Sequence, residues 1–231
     1  MTLTEIANRL QLDKGTEIPK DGRHHGPRLH FTTIYDKYLL PLKNESISIL
    51  EIGIANGNSL KMWTECFTKA KVFGIDIKKC TQYETDKIKT FVADQTNRKE
   101  LSLVAIKTGA LDVIIVDGGH MMAQQQISLG YLFSLLKPGG MYFIEDLHTS
   151  FWPYGPYKDL YGTKLDINKN RSNTTVSVIE TFIKTGKIKS EFMETSEMRY
   201  LEKWTENCQL FDLPKTEYGP NKLALLERKR V

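Results

Sequence analysis

A chain of 231 residues that is 40% hydrophobic and 26% charged can bury one full α/β core with added segments. Its net charge of +4 is mild, and apart from clusters at 184–189 and 228–230 the basic residues are scattered, which argues against a nucleic-acid groove. The three cysteines (Cys66, Cys80, Cys208) form no C-x-x-C pair, no apolar run approaches the ~20 residues of a bilayer span, and the first ten residues lack a signal-peptide core. The expectation is a cytoplasmic protein with no disulfide framework, no zinc knuckle, no membrane partner and no nucleic-acid partner.

Taken in order, residues 4–12 read as a short amphipathic helix capped by Thr4, with Ile6, Leu10 and Leu12 on its apolar face. D-K-G-T (13–16) opens a loop punctuated by Pro19, Gly22, Gly26 and Pro27. His24 and His25 sit in this loop and His30 just beyond it. With no second ligand cluster nearby they read as an exposed polar loop rather than a metal site. Phe31, Ile34 and Tyr38 then fall near helical spacing until Pro41 ends the helix, leaving an aromatic face able to cover a neighbouring pocket.

Residues 47–52 form a buried strand that runs into Gly53 and Gly57, with Asn58 and Ser59 as helix caps before L-K-M-W-T-E-C-F. A strand, a glycine turn and a helix start present free backbone N–H groups to a polar ligand. Glu51, just before the turn, suits a ligand bearing an ammonium group better than a pyrophosphate. Ala55 and Asn58 break the G-x-G-x-x-G dinucleotide pattern. Alone, the turn is no different from many ordinary βα connections. The next strand (71–77) carries Asp76 about twenty residues past the glycines, where Rossmann-like folds place a carboxylate on ribose hydroxyls. A third strand (88–93) ends in Asp94 and Gln95; an acid there can reach an adenine edge or cap the helix starting near Asn97.

Residues 111–116 are wholly strand-like and stop at Asp117, the first residue of D-G-G-H, which sets His120 three residues on. A helix over 122–136 is expected to stop at K-P-G-G (137–140), and a fifth strand (141–144) to end in Glu145 and Asp146. Neighbouring strands lie ~4.8 Å apart, so if these two pair, three carboxylates converge at one sheet edge. Such a cluster is relieved by a hard dication, Mg²⁺ first with Mn²⁺ or Ca²⁺ as alternatives; otherwise the acids cap helices and pair with lysines.

The segment 151–162 is dense in aromatics and turn residues, which suits a sugar ring or a flat polyketide as well as a loop pinned to the core. After a polar loop tip (168–173), Thr174 or Thr175 opens a helix through Phe182 ended by Gly186. Residues 188–213 and 222–228 read as strands with a turn at Tyr218-Gly219-Pro220. Without repeats or linkers, 1–231 is assigned to one domain: a helical or lid segment (1–45), a core (46–150), and a substrate loop with C-terminal strands (151–231).

The series E-I-G-x-x-x-G-x-S, G-x-D, A-D-Q, D-G-G-H and P-G-G-x-Y-x-I-E-D-L-x-T-S-x-W-P resembles the class I S-adenosylmethionine-dependent methyltransferases. More narrowly it is similar to the metal-dependent sugar O-methyltransferases of macrolide tailoring (mycinamicin and macrocin type) and their cephalosporin-pathway relatives. The likeness spans 13–153 and is strongest over 145–153. It implies an α/β Rossmann-like methyltransferase fold: a mostly parallel seven-stranded sheet, helices on both faces and an antiparallel C-terminal strand pair. It implies Asp117, Glu145 and Asp146 as Mg²⁺ ligands and His120 as the base. For the cofactor it implies the 53–59 loop with Gly53, Asn56, Gly57 and Ser59, together with Glu51, Asp76, Asp94 and Gln95. Gly119 stands where the family motif has serine, a change expected to be harmless. The larger N-terminal domain of some members has no expected counterpart here, so their oligomer contacts do not carry over, and homo-oligomer formation stays open. The expected activity is Mg²⁺-dependent methyl transfer from S-adenosylmethionine to a hydroxyl, on a small-molecule or glycan acceptor such as a sugar of a natural product or polysaccharide. The alternatives are a cofactor-binding helper without catalysis, O-methylation of a polyketide or peptide, and an NAD-dependent oxidoreductase, against which the broken glycine fingerprint argues.

Overall fold

The five strands expected between residues 48 and 144 all lie in one sheet in the computed structural model, which describes residues 1–17, 28–151, 163, 173–217 and 219–230. The strands are β1 (Ser48–Ile52), β2 (Lys71–Asp76), β3 (Ile88–Val92), β4 (Leu111–Val116), β5 (Leu136–Ile144), β6 (Thr205–Thr216) and β7 (Gly219–Arg228). Their order is β3-β2-β1-β4-β5-β7-β6. The first five pair in parallel, and β7 enters antiparallel between β5 and β6. This is the mostly parallel seven-stranded sheet with an antiparallel C-terminal pair that the resemblance implies.

The helices are α1 (Leu3–Arg9), α2 (Phe31–Leu39), α3 (Asn58–Cys66), α4 (Arg98–Thr108), α5 (Met122–Leu132), α6 (Thr175–Thr185) and α7 (Thr195–Trp204). Successive strand residues point to opposite faces, so each central strand feeds two cores. Ile49, Val113, Ile115, Phe143 and Leu225 pack with Phe31, Tyr35 and Trp63 from α2 and α3. Leu50, Ile114, Val116, Tyr142 and Ile144 pack with residues of α4, α5, α6 and α7. Burial on both faces explains why β1 and β4 read as continuous rather than alternating apolar runs.

Three local expectations are corrected. The first helix is capped by Thr2 and Glu5 in a reciprocal capping box, not by Thr4, and it ends at Arg9. K-P-G-G does not simply stop α5. That helix ends at Leu132, a 3-10 turn follows (Phe133–Leu135), and β5 already begins at Leu136. The pairing with β4 skips from Leu136 to Met141, so Pro138, Gly139 and Gly140 are accommodated as a bulge. Lastly, 195–204 is a helix rather than strand. Glu194 and Glu197 form a capping box, and Met198 and Leu201 follow at helical spacing toward the core.

The sheet order decides where a ligand can sit. From β1 the chain moves outward to β2 and β3, then returns to β4 on the other side. The connections leaving β1 and β4 therefore diverge and open a crevice at the carboxyl ends of the strands. Gly53, Asp76, Asp117 and Glu145 each stand at or just beyond such an end. No described helix is long and apolar enough to cross a membrane.

Candidate functional site

The crevice is a cavity of ≈ 830 Å³. Gly53, Asn56, Ser59, Asp76, Asp94 and Gln95 line it, together with Asp117 from β4 and Leu12, Asp13, Lys14 and Arg28 from the N-terminal segment. Ile52, Ile54, Ile75, Ile77 and Ala93 supply apolar wall. A few convergent polar groups in an apolar cleft of this size are what a nucleoside-sized ligand requires. The carboxylate of Asp76 accepts the backbone N–H of Ile54 at 3.0 Å and of Lys78 at 2.9 Å, which braces the glycine turn against β2. Gln95 and Gly119 exchange two hydrogen bonds, at 2.9 and 3.2 Å, tying the β3 end to D-G-G-H. The Asp94 carboxylate accepts from the Thr96 N–H, while Asn97 caps α4.

Glu51 and Gly57 do not line the cavity. Glu51 is fully buried behind it, accepting from the Trp63 indole N–H at 3.0 Å. Burial pushes its carboxyl up to about 7, against the pull of Lys14 3.8 Å away. Gly57 acts on the backbone: its φ of 74° caps α3 in the left-handed region, and a Cβ there would meet the Tyr83 ring at 2.6 Å. Gly57→Ala is expected to lower stability by about 1–3 kcal/mol, measurable by urea unfolding. A wild-type midpoint would show that the turn tolerates a side chain.

Asp117, Glu145 and Asp146 meet as two overlapping groups. Glu145 and Asp146 are consecutive at the end of β5, so their side chains leave on different sides. Glu145 is fully buried and turns toward α2, where its carboxylate accepts from the Tyr35 hydroxyl and the Lys14 ammonium. The same ammonium donates to Asp117. Asp146 adopts the left-handed conformation (φ 53°), which Asp tolerates better than most residues. Its oxygens lie 3.4 Å from His120 Nε2 and 3.6 Å from His148 Nδ1. Asp117, His120 and Asp146 can each offer a ligand atom, and all of these lie within 4.8 Å of one another. Asp117 is thus common to the lysine-bridged pair, the acid–imidazole group and the cavity wall.

The electrostatics follow this division. Burial raises the Asp117 and Glu145 carboxyls above their ordinary values, with Lys14 opposing the rise in both. Burial would also raise Asp146, but His120 and His148 outweigh it and hold that carboxyl below the usual range. Burial would lower the Lys14 ammonium, yet Asp117, Glu145 and Glu51 together keep it well above its ordinary value.

Sequence reasoning missed Lys14, Tyr35 and Arg28. D-K-G-T was visible as a stretch, but nothing local shows that its lysine reaches residues 103 and 131 positions downstream. His24 and His25 and most of the aromatic 151–162 segment lie outside the described residues.

Comparison with known proteins agrees with this fold. No family model matches the chain. It is 35% identical over 138 residues to the 8-demethyl-8-alpha-L-rhamnosyl tetracenomycin-C 2'-O-methyltransferase of Streptomyces olivaceus, covering 56% of this chain and 36% of that protein. It is 37% identical over 142 residues to demethylmacrocin O-methyltransferase of Streptomyces fradiae (58% and 35% covered). It is 33% identical over 151 residues to mycinamicin VI 2''-O-methyltransferase of Micromonospora griseorubida (61% and 38% covered). The chain therefore spans little more than a third of the length of these curated relatives. Among solved structures, MycE methyltransferase in complex with Mg, SAH and mycinamycin VI matches with a TM-score of 0.75 at 24% identity, over 100% of this chain and 55% of that one. A putative rRNA-methylase from Clostridium thermocellum matches more distantly, with a TM-score of 0.53 at 15% identity over 84% and 92%. The fold of this chain is the class I methyltransferase fold.

Proposed function

We propose that this chain is an S-adenosylmethionine-dependent O-methyltransferase that uses Mg²⁺ to methylate a hydroxyl of a sugar, on a natural product or related glycan. The observation that carries this reading is the double placement of Asp117, which belongs both to the cavity wall and to the acid–imidazole group with His120 and Asp146. Likeness to the sugar O-methyltransferases above supports it independently.

The cavity lining fits the cofactor, and Asp117 and Asp146 fit a cation, whereas Glu145 is held by Lys14 and Tyr35. The cavity combines a glycine turn, where ligand atoms approach backbone closely, with acids at the ends of β2 and β3. Gly53, Asn56, Ser59, Asp76, Asp94 and Gln95 would contact the cofactor, with Glu51 and Gly57 supporting the turn from behind. The oxygen-rich donors Asp117, Glu145 and Asp146 would hold Mg²⁺, a choice that suits a hard cation. Glu145 shares Lys14 with Asp117, so a dication that recruits Glu145 competes with that ammonium.

When bound, the sulfonium supplies the methyl group and the metal supplies Lewis acidity toward the acceptor hydroxyl. The rest falls to the chain. His120 accepts the hydroxyl proton, and the Asp146 carboxylate, 3.4 Å from its Nε2, stabilises the imidazolium which results. The Thr149 hydroxyl holds the His120 carbonyl at 2.5 Å, fixing the base on the short D-G-G-H turn. Placement of acceptor and donor in one walled cavity accounts for much of the remaining rate, because orientation replaces a bimolecular encounter.

The test is methyl transfer from labelled S-adenosylmethionine to a panel of deoxysugar and rhamnosyl glycosides. Activity is expected to vanish after chelation and to return with Mg²⁺. Full turnover without any divalent ion would remove the metal from the reading. Failure to bind S-adenosylmethionine at all would remove the reading itself.

A further inference from the structure

Arg28 stands in the cavity wall with only 7% of its surface exposed. One guanidinium nitrogen, Nη1, donates to the Leu12 carbonyl at 2.7 Å. The other two, Nε and Nη2, are buried and have no hydrogen-bond partner among the described residues. Buried charges are ordinarily paired, so an unmatched guanidinium calls for an anion. Nε–H and Nη2–H are the two parallel donors along one edge of the guanidinium plane, the edge that receives both oxygens of a carboxylate. The other buried cation of the cavity, Lys14, already serves Asp117 and Glu145.

Resting on the reading that the cavity takes S-adenosylmethionine, we infer that Arg28 anchors the α-carboxylate of the cofactor's amino-acid tail. Two considerations favour this over an anion on the acceptor. A neutral sugar brings no anion, whereas every cofactor molecule brings one carboxylate. Arg28 is also tied to Leu12, two residues from Lys14. It therefore belongs to the wall that reaches Asp117, beyond the Asp76 and Asp94 end where the nucleoside is expected. Glu51, which the turn sequence matched to an ammonium group, is buried behind the cavity, so the tail's main charged anchor is the arginine.

Calorimetric titration of the folded protein with S-adenosylhomocysteine and with the same molecule lacking its α-carboxylate tests this. Wild type should bind the carboxylate-bearing probe about 10- to 100-fold more tightly, the range of a charge-assisted hydrogen-bonded pair. Arg28→Met should remove that preference and leave the decarboxylated probe's affinity nearly unchanged. Arg28→Lys, which keeps the charge but not the parallel edge, should fall between and serves if the methionine variant does not fold. Equal binding of the two probes by wild type would overturn the inference, as would equal weakening of both in the variants. In either case binding of S-adenosylhomocysteine would leave the methyltransferase reading intact. Binding of neither probe by wild type would end both.

Discussion

Lys14→Met is expected to destabilise the protein by about 3–5 kcal/mol at neutral pH, the cost of leaving buried carboxylates without their counter-charge. The side chain is 3% exposed; its ammonium bridges Asp117 and Glu145 and faces Glu51. Methionine keeps most of the packing volume, so the loss reports charge more than cavity. Two rescues identify the cause. A carboxyl whose folded pKa is raised binds more protons folded than unfolded, so its burden on the folded state is absent at low pH and grows as pH rises. For Glu51 that window runs from 4.5 to about 7 even with Lys14 present. The deficit of the variant should therefore shrink as pH falls through this range. Mg²⁺ should also raise the variant's thermal midpoint more than that of wild type, because the dication supplies the missing charge. Urea unfolding across pH, with and without Mg²⁺, measures all three. A loss below about 1 kcal/mol, the range of an exposed pair, would mean that the lysine is not the counter-ion of this cluster.

His120→Gln should reduce kcat by about 10²–10⁴-fold, the contribution of a positioned general base, while S-adenosylhomocysteine binding stays within about threefold, well under the tenfold that 1.4 kcal/mol represents. Glutamine can hydrogen-bond but cannot take up a proton near neutrality. His120 is 9% exposed and faces Asp146, so replacement by alanine would add a void and blur the result. Rate measurements under saturating cofactor, paired with calorimetric binding, separate the two effects. Undiminished turnover would take the base role from His120. Equal losses in binding and rate would instead mark it as structural.

Much of the site could be read from the chain because it is assembled from strand ends. An apolar run that stops at a glycine or an acid announces both the strand and the tip, and β1, β2 and β4 do so with Gly53, Asp76 and Asp117. Their spacing falls within single βα units, where local pattern and three-dimensional position agree. The C-terminal third was harder. Residues 195–204 carry aromatic and polar residues that suit a strand as well as a helix, and only the packing of Met198 and Leu201 beneath α7 settles the choice.

What the sequence determined by itself is the order of strands and turns, the acids at their tips and the histidine three residues past Asp117, because these depend on period and on neighbours in the chain. Only the tertiary structure decided which charges meet. Lys14 and Tyr35 reach Glu145 from 131 and 110 residues away, drawing it from Asp146, and the left-handed turn at Asp146 sends that carboxylate to His120 and His148. Such pairings come from the return of the N-terminal segment over the sheet, and no periodicity encodes them: electrostatic partners are set by distance in space, and a chain that doubles back makes distant residues close.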